Sequence, residues 1–460
     1  MRADLKLAGG EALLPSGLAT VDLLIAHGRI AAIAAPGFTE ATEAVDVTGL
    51  TLLPGAVDAH VHLGHNADIA RPRVSQDAAT ETAAAALGGV TTIVPYIMSA
   101  EPHLPAFDEI VAVIEAGARI DFGLHFVIAT EEQLAEVSGL VARGAPTAKL
   151  FMNIRGDEGA RLGLPGTDDG FLLHLLEQLA THGGMLCPHP ENIELAWVLR
   201  RRVTEADPNG AAGLVAWNDT RPPLVEAEAL MRACYLARMV GAPVHAVHTS
   251  SAEALDAALA QRRAGTNVSI ETCLHYLTHD VGCGLGAMAK VNPPLRAPSD
   301  REALWAAVAR GDIDTVGTDH IHRPLSSKDG GIWQAQPGFP GLDVFLPALL
   351  TEGLARGVPL ARLMEMASDA PARRMGLEAK GMLVPGADAD IAVVDLKAPF
   401  TVERDGLATD ANYSIFEGRR MACSLVHTLS HGRFVLRDGA FVDDGVGKGR
   451  YVPRRLVHPD

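Results

Sequence analysis

The chain has 460 residues, with 39 basic and 56 acidic side chains and a formal charge of −17. That excess of carboxylates argues against a nucleic-acid partner, whose phosphates need a basic face, and against docking on an anionic membrane. A hydrophobic fraction of 48% with 21% charged residues fits a folded globular protein and is too apolar for disorder.

No apolar run approaches the roughly 18 residues of a membrane span. The start, MRADLKLAGG, lacks the apolar stretch of a secretory signal. Five scattered cysteines form no C-x-x-C pair and no disulfide framework, so a reducing cytoplasm is the expected setting.

In chain order, residues 1–53 hold short strand-like runs such as VDLLIAHGRIAAIAA and AVDVTGLTLLP, with turns and no helix. From 54 to 380, strand candidates alternate with amphipathic helices. The strands are GAVDAHVHL (55–63), TTIVPYIM (91–98), DFGLHFVIA (121–129) and TAKLFMNI (147–154). They continue with GMLCPHP (184–190), PVHAVHTS (243–250), NVSIETCLH (267–275) and DTVGTDH (314–320). Such alternation implies parallel pairing through right-handed crossovers. Eight units over about 300 residues predict a closed (β/α)₈ TIM barrel. An open sheet is the alternative, but no G-x-G-x-x-G follows the first strand. Residues 381–442 are strand-rich again. Neither flank is long enough to bury a good core alone, so 1–53 and 381–442 are expected to build one small β-sandwich. Residues 443–460, a polar basic tail, are expected to form an arm on the barrel or on a neighbouring subunit.

Barrel enzymes build their sites at the C-terminal ends of the strands, and metal-binding residue types recur there. His60 and His62 close the first strand, share one face, and can chelate one ion. The motif is weak alone: 18 histidines give roughly 0.7 chance H-x-H pairs, and His320-x-His322 is a second. Lys149 lies inside an apolar strand. It is either a snorkelling lysine or an amine whose pKa burial lowers, able to add carbon dioxide as a carbamate that bridges two ions. His189 ends the fifth strand. His245 and His248 are an odd distance apart and face opposite sides, and His248, at the strand end, is the better candidate. Asp319 ends the eighth strand, where a carboxylate can bind metal and move a proton. Five of eight strands end in a suitable residue, and that conjunction carries more than any one motif.

The segments GAVDAHVHL, AKLFM, HPEN, VHTSS, ETCLHYL, VNPPLR and GTDH resemble the amidohydrolase superfamily, and within it the cyclic amidohydrolases: dihydropyrimidinase or hydantoinase, allantoinase and dihydroorotase. The resemblance spans nearly the whole chain, since KGMLVPGADADIAVVD, NYSIFEG and GKGRYVPR match that group's C-terminal part. It implies two divalent ions, with Zn²⁺ expected. His60 and His62 would hold the more buried ion, His189 and His248 the second, and a carboxylated Lys149 would bridge them. Asp319 would be both a ligand and the proton shuttle for a metal-bridged hydroxide that opens a cyclic amide or ureide ring. Asn292 falls where the family contacts substrate through main chain. A homotetramer or homodimer is also implied.

Two departures matter. Gly64-His65 follow His62-Leu63 where similar dihydroorotases carry Arg, and Ile154 stands where hydantoinases carry the Tyr that holds the developing oxyanion. Asn153 or a metal ion is the expected substitute, and Arg155 is a further candidate substrate contact, against the alternative of a solvated arginine. Arg71, Arg73, Arg161 and Arg323 carry the same two readings. His65, His275, His320 and His322 are expected to orient ligands. Dihydroorotase or allantoinase activity, a non-catalytic scaffold paralogue, and an acyclic amide hydrolase or deaminase stay open as alternatives.

Overall fold

The structure is a computed structural model that describes residues 2–37, 40–442 and 445–457, without the side chains of residues 157 and 161. Parts of the expected arm (443–444 and 458–460) and the Arg161 side chain therefore lie outside the described residues.

The first barrel strand is Ala56–His62, followed by Val90–Ile97, by Asp121–Phe122 with His125–Val127, and by Thr147–Phe151. The remaining four are Met185–His189, Val244–Ala246, Val268–Cys273 and Thr315–Gly317. Neighbours pair in parallel in chain order. The eighth strand breaks after Gly317 and resumes as His320–Ile321, which pairs with the first strand, His320 opposite Val61 and Ile321 opposite His62. That pairing closes the barrel. Every residue of the first strand is buried, as expected of a parallel strand covered on both faces.

The crossover helices begin and end on local chemistry. Thr130 caps Glu131–Ala142 by accepting from the Gln133 amide at 3.3 Å, and the Gln133 side chain returns to the Thr130 backbone. Asp168 caps Asp169–His182, and Ser251 caps Ala252–Arg263. Pro223–Val240 stops where Gly241 takes φ 77°, a left-handed turn that a side chain resists.

Strands from both chain ends share one sheet. Ile391–Asp395 lies between Ser424–Ser430 and Thr51–Pro54, antiparallel to both. Thr51–Pro54 in turn pairs with Ala3–Leu14. This nine-stranded sheet has its own core, including Leu7, Leu23, Ile391, Val393 and Leu429. The described part of the tail runs along its own barrel: Phe122 donates to Arg450 O at 3.0 Å and receives Val452 N at 2.8 Å. Among the described residues no helix is long and apolar enough to cross a membrane.

Candidate active site

Six of the side chains singled out in the sequence meet at the barrel mouth, all buried: His60, His62, Lys149, His189, His248 and Asp319. Asp319 Oδ1 lies 3.3 Å from His60 Nε2 and 3.4 Å from His62 Nε2. Lys149 Nζ is 3.4 Å from His60 Nε2, and His248 Nε2 is 3.0 Å from His189 Nδ1. The group lines a cleft of about 640 Å³ including its open mouth. His248 and Asp319 reach it from left-handed backbone, φ 42° and 50°. Such conformations cost of order 1–3 kcal/mol for residues other than glycine, and here they turn two strand ends inward. His245 does not line the cleft; it is held by Ser269 Oγ at 2.8 Å and Glu271 Oε2 at 3.3 Å.

Burial sets the protonation states. It lowers the pKa of the Lys149 amine, and the nearby Asp319 carboxylate offsets this only in part. The Lys149 ammonium end lies 4.5 Å from the centre of the Tyr96 ring. Burial also lowers His189, takes His248 well down, and brings His62 to about 4. Neutral imidazoles are the form that binds metal. Burial alone would raise Asp319, but His60, His62 and Lys149 hold it below the usual carboxylate range.

Two carboxylates that the sequence reading missed fix the rings. Glu271 Oε1 lies 2.6 Å from His60 Nδ1 and accepts from the His248 amide at 3.1 Å. Glu191 Oε2 lies 2.7 Å from His189 Nε2 and receives Arg221 at 3.1 Å. With these outer nitrogens engaged, His60 Nε2 and His189 Nδ1 face the cleft as lone pairs. The donor set therefore fits a divalent cation: the ligand atoms of His60, His62 and Asp319 all lie within 4.8 Å of one another. Asp58 is a third missed carboxylate. It accepts from the His60 amide at 3.0 Å and from Thr318 Oγ1 at 2.5 Å, tying the first strand to the break in the eighth. Glu271 acts on a histidine 211 positions away, whereas Glu191 and Asp58 lie two residues from the histidines they hold.

The candidate substrate contacts fall out unequally. Asn153 and Asn292 line the cleft. The Asn292 side chain already accepts from Trp217 Nε1 at 3.2 Å. Asn153 donates to Glu191 Oε2 at 3.3 Å. Arg155 differs from expectation: it lies outside the cleft and turns away to Glu194, 2.6 Å off. The turn after the fourth strand rotates it outward. Ile154 joins an apolar wall with Ile69, Met98 and Ile321, so no phenol stands there. His65 bonds Asp77 at 3.0 Å, and His320 Nε2 lies 2.8 Å from Glu81, rather than reaching any of the six.

A closed (β/α)₈ barrel with imidazoles, a buried amine and a carboxylate at its C-terminal mouth defines a hydrolase of the metal-binding barrel class. Residues 51–435 match the model of the amidohydrolase family, and the chain belongs to that family. It is 34% identical to an allantoinase of Rubrobacter xylanophilus, over 97% of each chain. It is 32% identical to a D-hydantoinase of Streptomyces coelicolor, again over 97% of each. Its fold superposes on a dihydropyrimidinase of Brevibacillus agri with a TM-score of 0.89, at 29% identity and 99% coverage of both chains. The family generally uses divalent metals, which agrees with the donor set at the mouth.

Proposed function

We propose that this protein is a metal-dependent hydrolase that opens a cyclic amide or ureide ring, as hydantoinases and dihydropyrimidinases do. The convergence of His60, His62, Lys149, His189, His248 and Asp319 on one cleft carries the reading. His60 and His62 would hold one divalent ion and His189 and His248 a second, with Zn²⁺ the expected metal. A Lys149 amine whose pKa burial lowers would be the group to take up carbon dioxide, and the carbamate would bridge the pair. Bound there, such ions lower the pKa of water toward neutrality and polarise a carbonyl.

The chain's own residues do the rest. The apolar wall around Ile154 limits water around the ring. Asp319 takes the proton of the attacking water and delivers it to the departing ring nitrogen, which an amide leaving group requires. Glu271 and Glu191 hold His60 and His189 in one tautomer. With its side chain engaged by Trp217, Asn292 meets substrate through its main chain. The associated domain division is 1–53 with 381–442 as sandwich, 54–380 as barrel and 443–460 as arm. A homodimer or homotetramer is the accompanying assembly, and the cytoplasm the accompanying setting, the latter in keeping with five unpaired cysteines.

A ring-opening screen over dihydrouracil, substituted hydantoins, allantoin and dihydroorotate, with metal analysis alongside, tests the reading. Activity on at least one ring is expected. Asp319→Asn at full metal occupancy should lower kcat by about 10³-fold or more, given the 10²–10⁴-fold worth of a general acid–base. Unchanged turnover in that variant overturns the assignment.

A further inference from the structure

Among the described residues, Asn153 is the one side-chain amide lining the cleft that has a buried atom without a hydrogen-bond partner. The residue is 4% exposed, its Nδ2 donates to Glu191 Oε2, and its buried Oδ1 has no partner. Amide oxygen and nitrogen are told apart by their partners. The same Glu191 oxygen accepts from Arg221 Nη1, a group with only N–H donors, so the amide atom facing it must be the nitrogen. Glu191 thereby locks the orientation, and Oδ1 is left as a bare acceptor on a cleft-lining residue.

This reverses the expectation that Asn153 replaces the missing phenol as an oxyanion donor. Its oxygen would repel a developing oxyanion. A buried acceptor without a partner costs about 1–3 kcal/mol, and an N–H on the ligand removes that cost. We infer that Asn153 is a specificity-determining residue whose Oδ1 accepts a hydrogen bond from an unsubstituted ring nitrogen of the substrate. The substrate class narrows to cyclic imides and ureides with a free N–H facing the loop after the fourth strand. Rings with oxygen at that position are disfavoured, because two lone pairs then face each other. Glu191 links the two functions, since one carboxylate orients both His189 and the amide that reads the ring.

The inference rests on the ring-opening reading, and its test separates the two. Wild type, Asn153→Ala and the near-isosteric Asn153→Leu are assayed on a cyclic imide and on its analogue with oxygen in place of that N–H. Intrinsic reactivity differs between the rings but cancels in the ratio between enzymes. Both variants should lose about 10–100-fold in kcat/KM on the N–H ring, as expected for loss of a buried hydrogen bond, and gain on the oxygen ring, where the lone-pair repulsion is relieved. Metal content should be unchanged. Equal losses on both rings, or none on either, overturn the role of Asn153 and leave the ring-opening reading standing. A metal-loaded wild type that opens neither ring, nor any in the wider screen, overturns that reading itself.

Discussion

Two buried lysines at opposite ends of the barrel meet opposite fates. Lys149, at the mouth, has imidazoles and aromatic rings around it and no carboxylate in an ion pair. Lys380, under the base, lies 2.6 Å from Asp121, 2.7 Å from Asp390 and 3.1 Å from Asp388. Burial pushes both amines toward neutrality. At the base the three carboxylates outweigh it and raise Lys380 above the ordinary lysine value, whereas at the mouth burial wins. Burial therefore does not by itself lower an amine's pKa; burial that outweighs the nearby counter-charge does. Asp121, Asp388 and His431 have the spacing of a cation site, and the Lys380 ammonium already sits among them. The base cluster is a rivet joining the third strand, the sandwich and, through His431 and the Asp121 contact to the Arg450 amide at 3.0 Å, the tail.

The comparison breaks first where it is strongest. Lys149→Ala should lower kcat/KM by about 10³-fold or more and reduce metal per chain, because it removes the amine at the centre. Compared metal-free, its melting temperature should hold within a few degrees of wild type, since the loss of bound metal is then removed from the comparison. Lys380→Met should do the reverse. Three carboxylates left without their ammonium cost about 3–5 kcal/mol, while the folded fraction keeps its metal and turnover. Denaturant melts and elemental analysis of both variants decide it. A Lys149→Ala protein with full metal, or a Lys380→Met protein as stable as wild type, would collapse the distinction.

The pH dependence of the base cluster sharpens it. Burial opposes ionisation of Asp121, but His431 and Lys380 hold its pKa below the ordinary aspartate value of 3.8. Its contribution is thus complete above about that value and fades as pH falls toward the depressed one. Lys380 is raised above 10.5, so its contribution is complete below that value and fades as pH rises past it. The stability gap between wild type and Lys380→Met should therefore be flat through neutrality and close at both extremes. A gap that narrows between pH 5 and 9, values on the order of one unit inside that window, would mean the carboxylates do not hold the lysine.

A smaller effect is expected one layer behind the mouth. Glu191→Gln keeps the shape but removes the charge that fixes the His189 ring, and metal affinity should fall about 10–100-fold. Competition with a chelator measures this. Burial would raise Glu191, yet Arg221 and His189 hold it at about 2, so above pH 4 the effect should not vary with Glu191 ionisation. Unchanged metal retention would show that packing alone orients the ring.

What could be read in the chain beforehand was whatever follows from local periodicity. The H-x-H at 60–62, the choice of His248 over His245, and a lysine within an apolar strand all come from a two-residue repeat and a strand end. Pairing over distance was out of reach. Glu271 stands 211 positions from His60, and Asp121 lies 259 from Lys380. Local rules also miss the places where the backbone departs from them. The break that lets the eighth strand pair with both neighbours leaves Asp319 in a left-handed conformation, and the third strand is interrupted at Gly123 and Leu124.

Arg155, a candidate substrate contact in the sequence, lies outside the cleft, and it sets the smallest expected effect. Extending the fourth strand past Asn153 would point a guanidinium near the substrate. The chain instead turns after Phe151, and Arg155 meets Glu194 with side-chain exposures of 32% and 57%. So exposed a pair contributes under about 1 kcal/mol, and it touches none of the six residues at the mouth. Arg155→Ala should leave kcat/KM within about twofold and stability within about 1 kcal/mol. A tenfold or greater loss in kcat/KM, with KM carrying it, would mean that Arg155 leaves Glu194 and swings over the cleft when substrate binds. The ring would then be held by a cation as well as by the amide of Asn153, and anionic ring substituents would become the preferred substrates.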